Sequence, residues 1–135
     1  MATEDSYIQS GHGVGSRSSA RQLSVLTVNG ANTVKGPITV PAGSWLNAIA
    51  IETPSAITGT PTNCNVTVGT TDGGSDIVAA VDCKGQGHVA ATIATAFDKV
   101  GGLATLNTLF IQVASTGTAP AGTINVLVSY DAPAR

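Results

Sequence analysis

The sequence predicts an all-β fold of about eight short strands, and three observations carry that prediction. From residue 22 onward, apolar residues alternate with Thr, Ser and Asn at period two, the pattern of strands with one buried face. Gly, Pro and Asn punctuate the runs at short intervals, with no heptad or long amphipathic helix between them. Hydrophobic residues make up 42% of the 135-residue chain but aromatics only 4%, so the core must be thin layers of Val, Ile, Leu and Ala. A β-sandwich of jelly-roll type is the leading architecture and a barrel the second.

The elements follow in order. Residues 22–28 form a first strand that ends at Asn29-Gly30, a dipeptide whose members both tolerate positive φ. Residues 34–40 follow with Pro37 among them, which places this segment on an edge or breaks it, because proline cannot donate to a ladder. After the Pro41-Ala42-Gly43 turn, residues 44–53 carry Trp45, Ile49 and Ile51 on one side and Leu46, Ala48 and Ala50 on the other. That reads as a central strand covered on both faces, with Trp45 in the core. A turn-rich stretch, 54–62, leads to 63–69, where Cys64, Val66 and Val68 point inward. Residues 70–75 form a loop. Residues 76–82 and 89–95 are further strands joined through Gly85 and Gly87, although their alanines leave helix open. A turn near 103–105 precedes the strand 108–114, a loop covers 116–122, and 123–130 is the last strand, with Ile124, Val126, Val128 and Tyr130 on one face.

Residues 1–20 differ from the β-sandwich domain expected over 21–135. They are rich in Ser and Gly, and Tyr7, Ile8 and Val14 are their only sizeable apolar groups. Such a segment cannot build a core, so it reads as a disordered terminus in a free monomer or as an arm that orders on a neighbouring subunit. In the second case Tyr7, Ile8, His12, Arg17 and Arg21 are the expected partner contacts.

Composition excludes several function classes. Charged residues are only 10% of the chain, against about a quarter in ordinary soluble domains, so much of the surface is Thr, Ser, Asn and Gly or is covered by protein. The six basic residues are scattered and the net charge is −2, which offers no footprint for nucleic acid. No apolar run approaches the roughly 20 residues that span a bilayer. The polar start, with Glu4 and Asp5, does not read as a secretory signal, so synthesis in a cytoplasm is expected.

No constellation assembles into an active site. A triad would have to recruit His12, in the glycine-rich arm, or His88, among turn glycines, and no Gly-x-Ser-x-Gly elbow exists. Asp72, Asp76 and Asp82 lack the alternating ligands of a calcium loop. Gly11, Gly13 and Gly15 have neither the preceding strand nor the Lys-Ser or Lys-Thr of a phosphate loop. Cys64 and Cys83 are too few for a disulfide scaffold or an all-cysteine zinc site; two buried free thiols are expected, with one disulfide as the alternative. No enzyme activity, metal or cofactor is expected.

One pattern is more specific. Ile38-Thr39-Val40-Pro41-Ala42-Gly43-Ser44-Trp45-Leu46, a hydrophobic strand, Gly59-Thr60-Pro61-Thr62, a strand ending Val68-Gly69-Thr70, and the closing Gly122-Thr123-Ile124-Asn125-Val126 resemble small head-decoration and fibre-associated proteins of tailed bacteriophages. The resemblance covers residues 36–130. It implies a jelly-roll-like sandwich, trimeric on the capsid exterior, that cements neighbouring major capsid subunits. It carries no functional residue across, because its motifs are strands and turns. The resulting expectation is a non-enzymatic virion protein on the outside of a phage head, with a tail or fibre module that binds a cell-surface glycan as the alternative.

Overall fold

The two most regular apolar alternations, 109/111/113 and 124/126/128/130, lie on one continuous strand. The computed structural model describes residues 18–97 and 108–133. Within them eight antiparallel strands form one curled sheet: β1 Ser18–Asn29, β2 Thr33–Lys35, β3 Ile38–Thr39, β4 Trp45–Thr53, β5 Thr58–Gly69, β6 Val78–Asp82, β7 Gly87–Ala90 and β8 Thr108–Ala132. A 3-10 turn spans Thr95–Phe97. The all-β class read from the sequence is therefore correct.

β8 is the axis. Val126 pairs with Ser24 of β1 on one side and Ile51 of β4 on the other, while Val113 pairs with Val34 of β2 and Val66 of β5. Ala121 pairs with both Asn29 and Thr58. β1 and β2 thus follow one another along one flank of β8, and β4 and β5 along the other. β3 pairs with the first residues of β8, β6 lines the outer side of β5, and β7 lines that of β4.

The long strand turns a corner between its halves. From Asn29↔Ala121 to Thr33↔Ala114, seven steps of β8 face four of its neighbour, and such extra residues bend a strand. Two glycines let the backbones cross closely at this elbow. Gly59 has φ 82°, and a Cβ there would lie 2.2 Å from the Ala119 carbonyl oxygen. Gly117 has φ 110°, and its Cβ would lie 2.4 Å from the Thr60 carbonyl oxygen. Both conditions favour glycine, which has no Cβ to place.

The curl gathers the inward residues of every long strand into one core, including Leu26, Ile49, Val66, Ile111 and Val126. Each such side chain contributes about 1.5–3 kcal/mol when fully buried. Side chains also tie the two halves together. Ser24 Oγ donates to the Gly36 carbonyl at 2.6 Å, and Gln22 Nε2 donates to the Thr39 carbonyl.

Several sequence expectations change. The strand expected over 34–40 is β2 and β3, interrupted at Gly36-Pro37 as proline there suggested. Among the described residues, the central strand expected to be covered on both faces over 44–53 is covered on one face. Its register shifts between Leu46 and Ala48, so Leu46 joins Ile49 and Ile51 inside, while Ala48 stays outside. Trp45, expected in the core, is 36% exposed. The turn 54–62 and the loop 116–122 are largely absorbed into β5 and β8, since their glycines permit the elbow without ending the ladder. The strand expected over 89–95 is the shorter β7, and the turn near 103–105 lies outside the described residues.

Candidate functional site: an apolar outer face

The alternation that sends Val126 and Val128 inward sends Asn125, Leu127, Ser129 and Asp131 outward. Register places their neighbours in rows. Leu23, Leu127, Ala50 and Ala90 cross β1, β8, β4 and β7, forming an apolar row on the side of the sheet away from the core. The next row is Val25, Asn125, Glu52 and His88; on the other side lie Arg21, Ser129 and Ala48, then Ser19, Asp131 and Trp45. Leu23 and Val25 are each 55% exposed. Side chains of this kind, grouped on one face and rimmed by Arg21, Glu52 and Asp131, are a common signature of a protein contact.

The rim is polar and ordered. Ser19 Oγ donates to Asp131 Oδ1 at 3.0 Å. Arg21 is exposed and lines a shallow recess with Ser19, Asn47, Ser129 and Tyr130. It is the one predicted contact residue among those described; Tyr7, Ile8, His12 and Arg17 lie outside them. Placing Ile124, Val126, Val128 and Tyr130 on one face of the last strand leaves Leu127 on the other, but does not reveal the row it belongs to. The partners on β1, β4 and β7 become neighbours only through long-range register, and no local signal encodes that.

The residues weighed for chemistry are dispersed. His88 is exposed on β7, opposite Glu52. Asp72 pairs with Lys35 at 2.9 Å, and Asp82 with Lys84 at 2.6 Å. Asp76 accepts from the Thr70 hydroxyl at 2.6 Å and from the Thr70 amide at 2.8 Å, bonds that hold its carboxyl below the usual range. Among the described residues no three His, Cys, Asp or Glu side chains are grouped to hold a metal ion. A recess between Pro37, Phe110 and the Lys35–Asp72 pair encloses about 200 Å³, below the roughly 300 Å³ at which ligand pockets begin. Cys64 and Cys83 are buried free thiols.

No protein-family model matches the sequence, and no curated protein matches it. Among solved structures, a chain of the "Cyanophage Pam1 capsid asymmetric unit" shares the fold with a TM-score of 0.55 and 19% sequence identity, covering 93% of this chain and 92% of that chain.

Proposed function

We propose that this chain is a structural virion protein that decorates the outside of a phage head and stabilises contacts between major capsid subunits. The observation that carries the reading is the fold shared with the phage capsid chain over nearly the whole of both molecules. The outer face supports it, because a decoration protein needs an apolar patch with few charges to desolvate. In this reading the curled sheet is a jelly-roll-like module that assembles as a trimer, without catalytic activity. Tyr7, Ile8, His12, Arg17 and Arg21 then contact the neighbouring subunit.

The test is add-back. Heads made without this protein are mixed with purified protein, then challenged by heat and osmotic shock. Saturable binding with raised resistance is expected; absence of binding, or bound protein with unchanged resistance, refutes the reading. A second reading, a tail or fibre module that holds a host glycan, draws on the exposed Trp45, since sugars stack on such rings. Glycan binding lost in Trp45→Ala, with no affinity for heads, would favour it.

A further inference from the structure

The two cysteines are not independent. Asn65 pairs with Asp82 and Val66 with Val81, so one further step of the same register sets Cys64 opposite Cys83. The Cys83 amide donates to the Cys64 carbonyl at 2.9 Å, and both side chains belong to the core. Directly opposed residues of an antiparallel pair have Cα atoms about 4.5–5.5 Å apart, inside the roughly 4.4–6.8 Å range of disulfides. Their Cβ atoms stand about 4.5–5.5 Å apart, against the roughly 3.5–4.5 Å that a disulfide needs. A closure of the order of 1 Å is required.

Oxidation has to draw the two segments together against the bonds already made there. Cys64 gives its amide to Asp82 Oδ1 at 2.9 Å, and the Cys83 carbonyl accepts from Thr53 Oγ1 at 2.8 Å. The pair is thus tied by a single backbone bond, just beyond the last residue of β6.

We propose that Cys64 and Cys83 form a cross-strand dithiol site that a low-molecular-weight disulfide converts to an internal disulfide, locking β5 to the chain beyond β6. The Cys83 thiol loses its proton to solvent, and its sulfur attacks the disulfide of oxidised glutathione, releasing one glutathione thiolate and leaving a mixed disulfide. The Cys64 thiol then loses its proton, its sulfur attacks the Cys83 sulfur, and the second glutathione leaves. Two protein thiols are oxidised by two electrons, and one small disulfide is reduced to two thiols. Cys83 reacts first because it is 5% exposed and Cys64 is fully enclosed. Burial, with the Asp82 carboxylate and Cys64 adding to it, pushes the Cys83 thiol up to about 11. Its hydrogen is also directed at the Val81 carbonyl, 3.4 Å from the sulfur. Thiolate is therefore scarce and conversion slow, rising with pH.

The full-length protein is incubated with oxidised glutathione at mildly alkaline pH, free thiols are alkylated, and intact mass, peptide map and thermal midpoint are measured. The expected product is monomeric in covalent terms, lighter by two hydrogens, linked Cys64 to Cys83, and melts several degrees higher, reverting with reductant. Stable glutathione adducts, chain-to-chain disulfides, or thiols unreacted even under mild denaturant overturn the proposal. An internal disulfide with an unchanged or lowered midpoint overturns the locking. The wild-type chain decides the matter; Cys64→Ala, where it folds, should stop at the glutathione adduct on Cys83.

Discussion

Replacing Gly59 by alanine tests whether the elbow makes the fold. Two costs are separable at this position. The left-handed φ of 82° costs an L-residue about 1–2 kcal/mol. The new Cβ would stand 2.2 Å from the Ala119 carbonyl oxygen and 2.8 Å from that of Thr118, and no rotamer relieves a contact with backbone. Pushing β5 and β8 apart adds about 2 kcal/mol or more, in the range of overpacking. The sum, about 3–4 kcal/mol, is a large share of the roughly 5–15 kcal/mol that holds a domain together. At about 2.1 cal/mol/K per residue of unfolding entropy, a chain of this length loses about 10–14 °C of Tm. Two further glycines calibrate the result. Gly73 has a similar φ of 79°, but its Cβ would meet nothing nearer than Gln112 Oε1 at 3.8 Å, so Gly73→Ala should cost the φ penalty alone, about 1–2 kcal/mol. Gly85, with nothing within 4 Å, should tolerate alanine within about 0.5 kcal/mol. Differential scanning calorimetry of the three variants reads the differences. Equal losses for Gly59→Ala and Gly73→Ala would refute the close approach as the feature that makes glycine necessary at the elbow.

Ser115→Ala should lower the urea midpoint without changing m. The buried hydroxyl donates to the Gly30 carbonyl at 2.8 Å or to that of Asn32 at 3.1 Å, and an acceptor left dry costs about 1–3 kcal/mol. Acid should destabilise the fold. For Asp76, hydrogen bonds from Thr70 hold the folded pKa below the unfolded value; for Asp82, burial opposes the shift, but bonds from the Cys64 amide and from Lys84 outweigh it. Each contribution is therefore full above an unfolded pKa of about 3.9 and lost as pH falls through the folded one. Thermal midpoints should decline below about pH 4, less steeply in Asp76→Asn. Leu23→Ser should leave Tm nearly unchanged, since its side chain is 55% exposed, yet weaken binding to heads by about tenfold, equivalent to roughly 1.4 kcal/mol; undiminished binding would exclude this face.

Strand class and inward faces were legible because period two is a local property. Cys64, Val66 and Val68, and likewise Ile124, Val126 and Val128, are buried as their alternation predicts. What failed was continuity and two-sidedness. Glycine and proline in 54–62 and 116–122 mark loops by local rules, yet here they make the bend of one long pairing, and only the partner strand distinguishes the two. The apolar run 44–53 suggested a strand covered twice, but a single extra residue near Asn47 re-aims Leu46 without altering composition. The outer row was illegible for the same reason: Leu23 and Leu127 are 104 positions apart, brought together by register.

That row also bears on why the surface carries so little charge. In a lone domain, exposed Leu23 and Val25 beside the edge of β1 that no described strand pairs would be a liability, because an unpaired edge with apolar neighbours invites pairing with other chains. Natural edges are usually blunted with lysine or inward charges, and β1 has a single charged residue, Arg21. A surface so weakly defended is consistent with one that is occupied in the working state. This yields a discriminating prediction: Val25→Lys should keep the fold, because position 25 faces outward, and should raise the solubility of the free protein. If the face is a contact, the same change must reduce assembly onto heads, since an ammonium would be desolvated in the interface without a partner. Improved solubility with full assembly would mean that the apolar row is incidental, and that the contact lies elsewhere on the molecule.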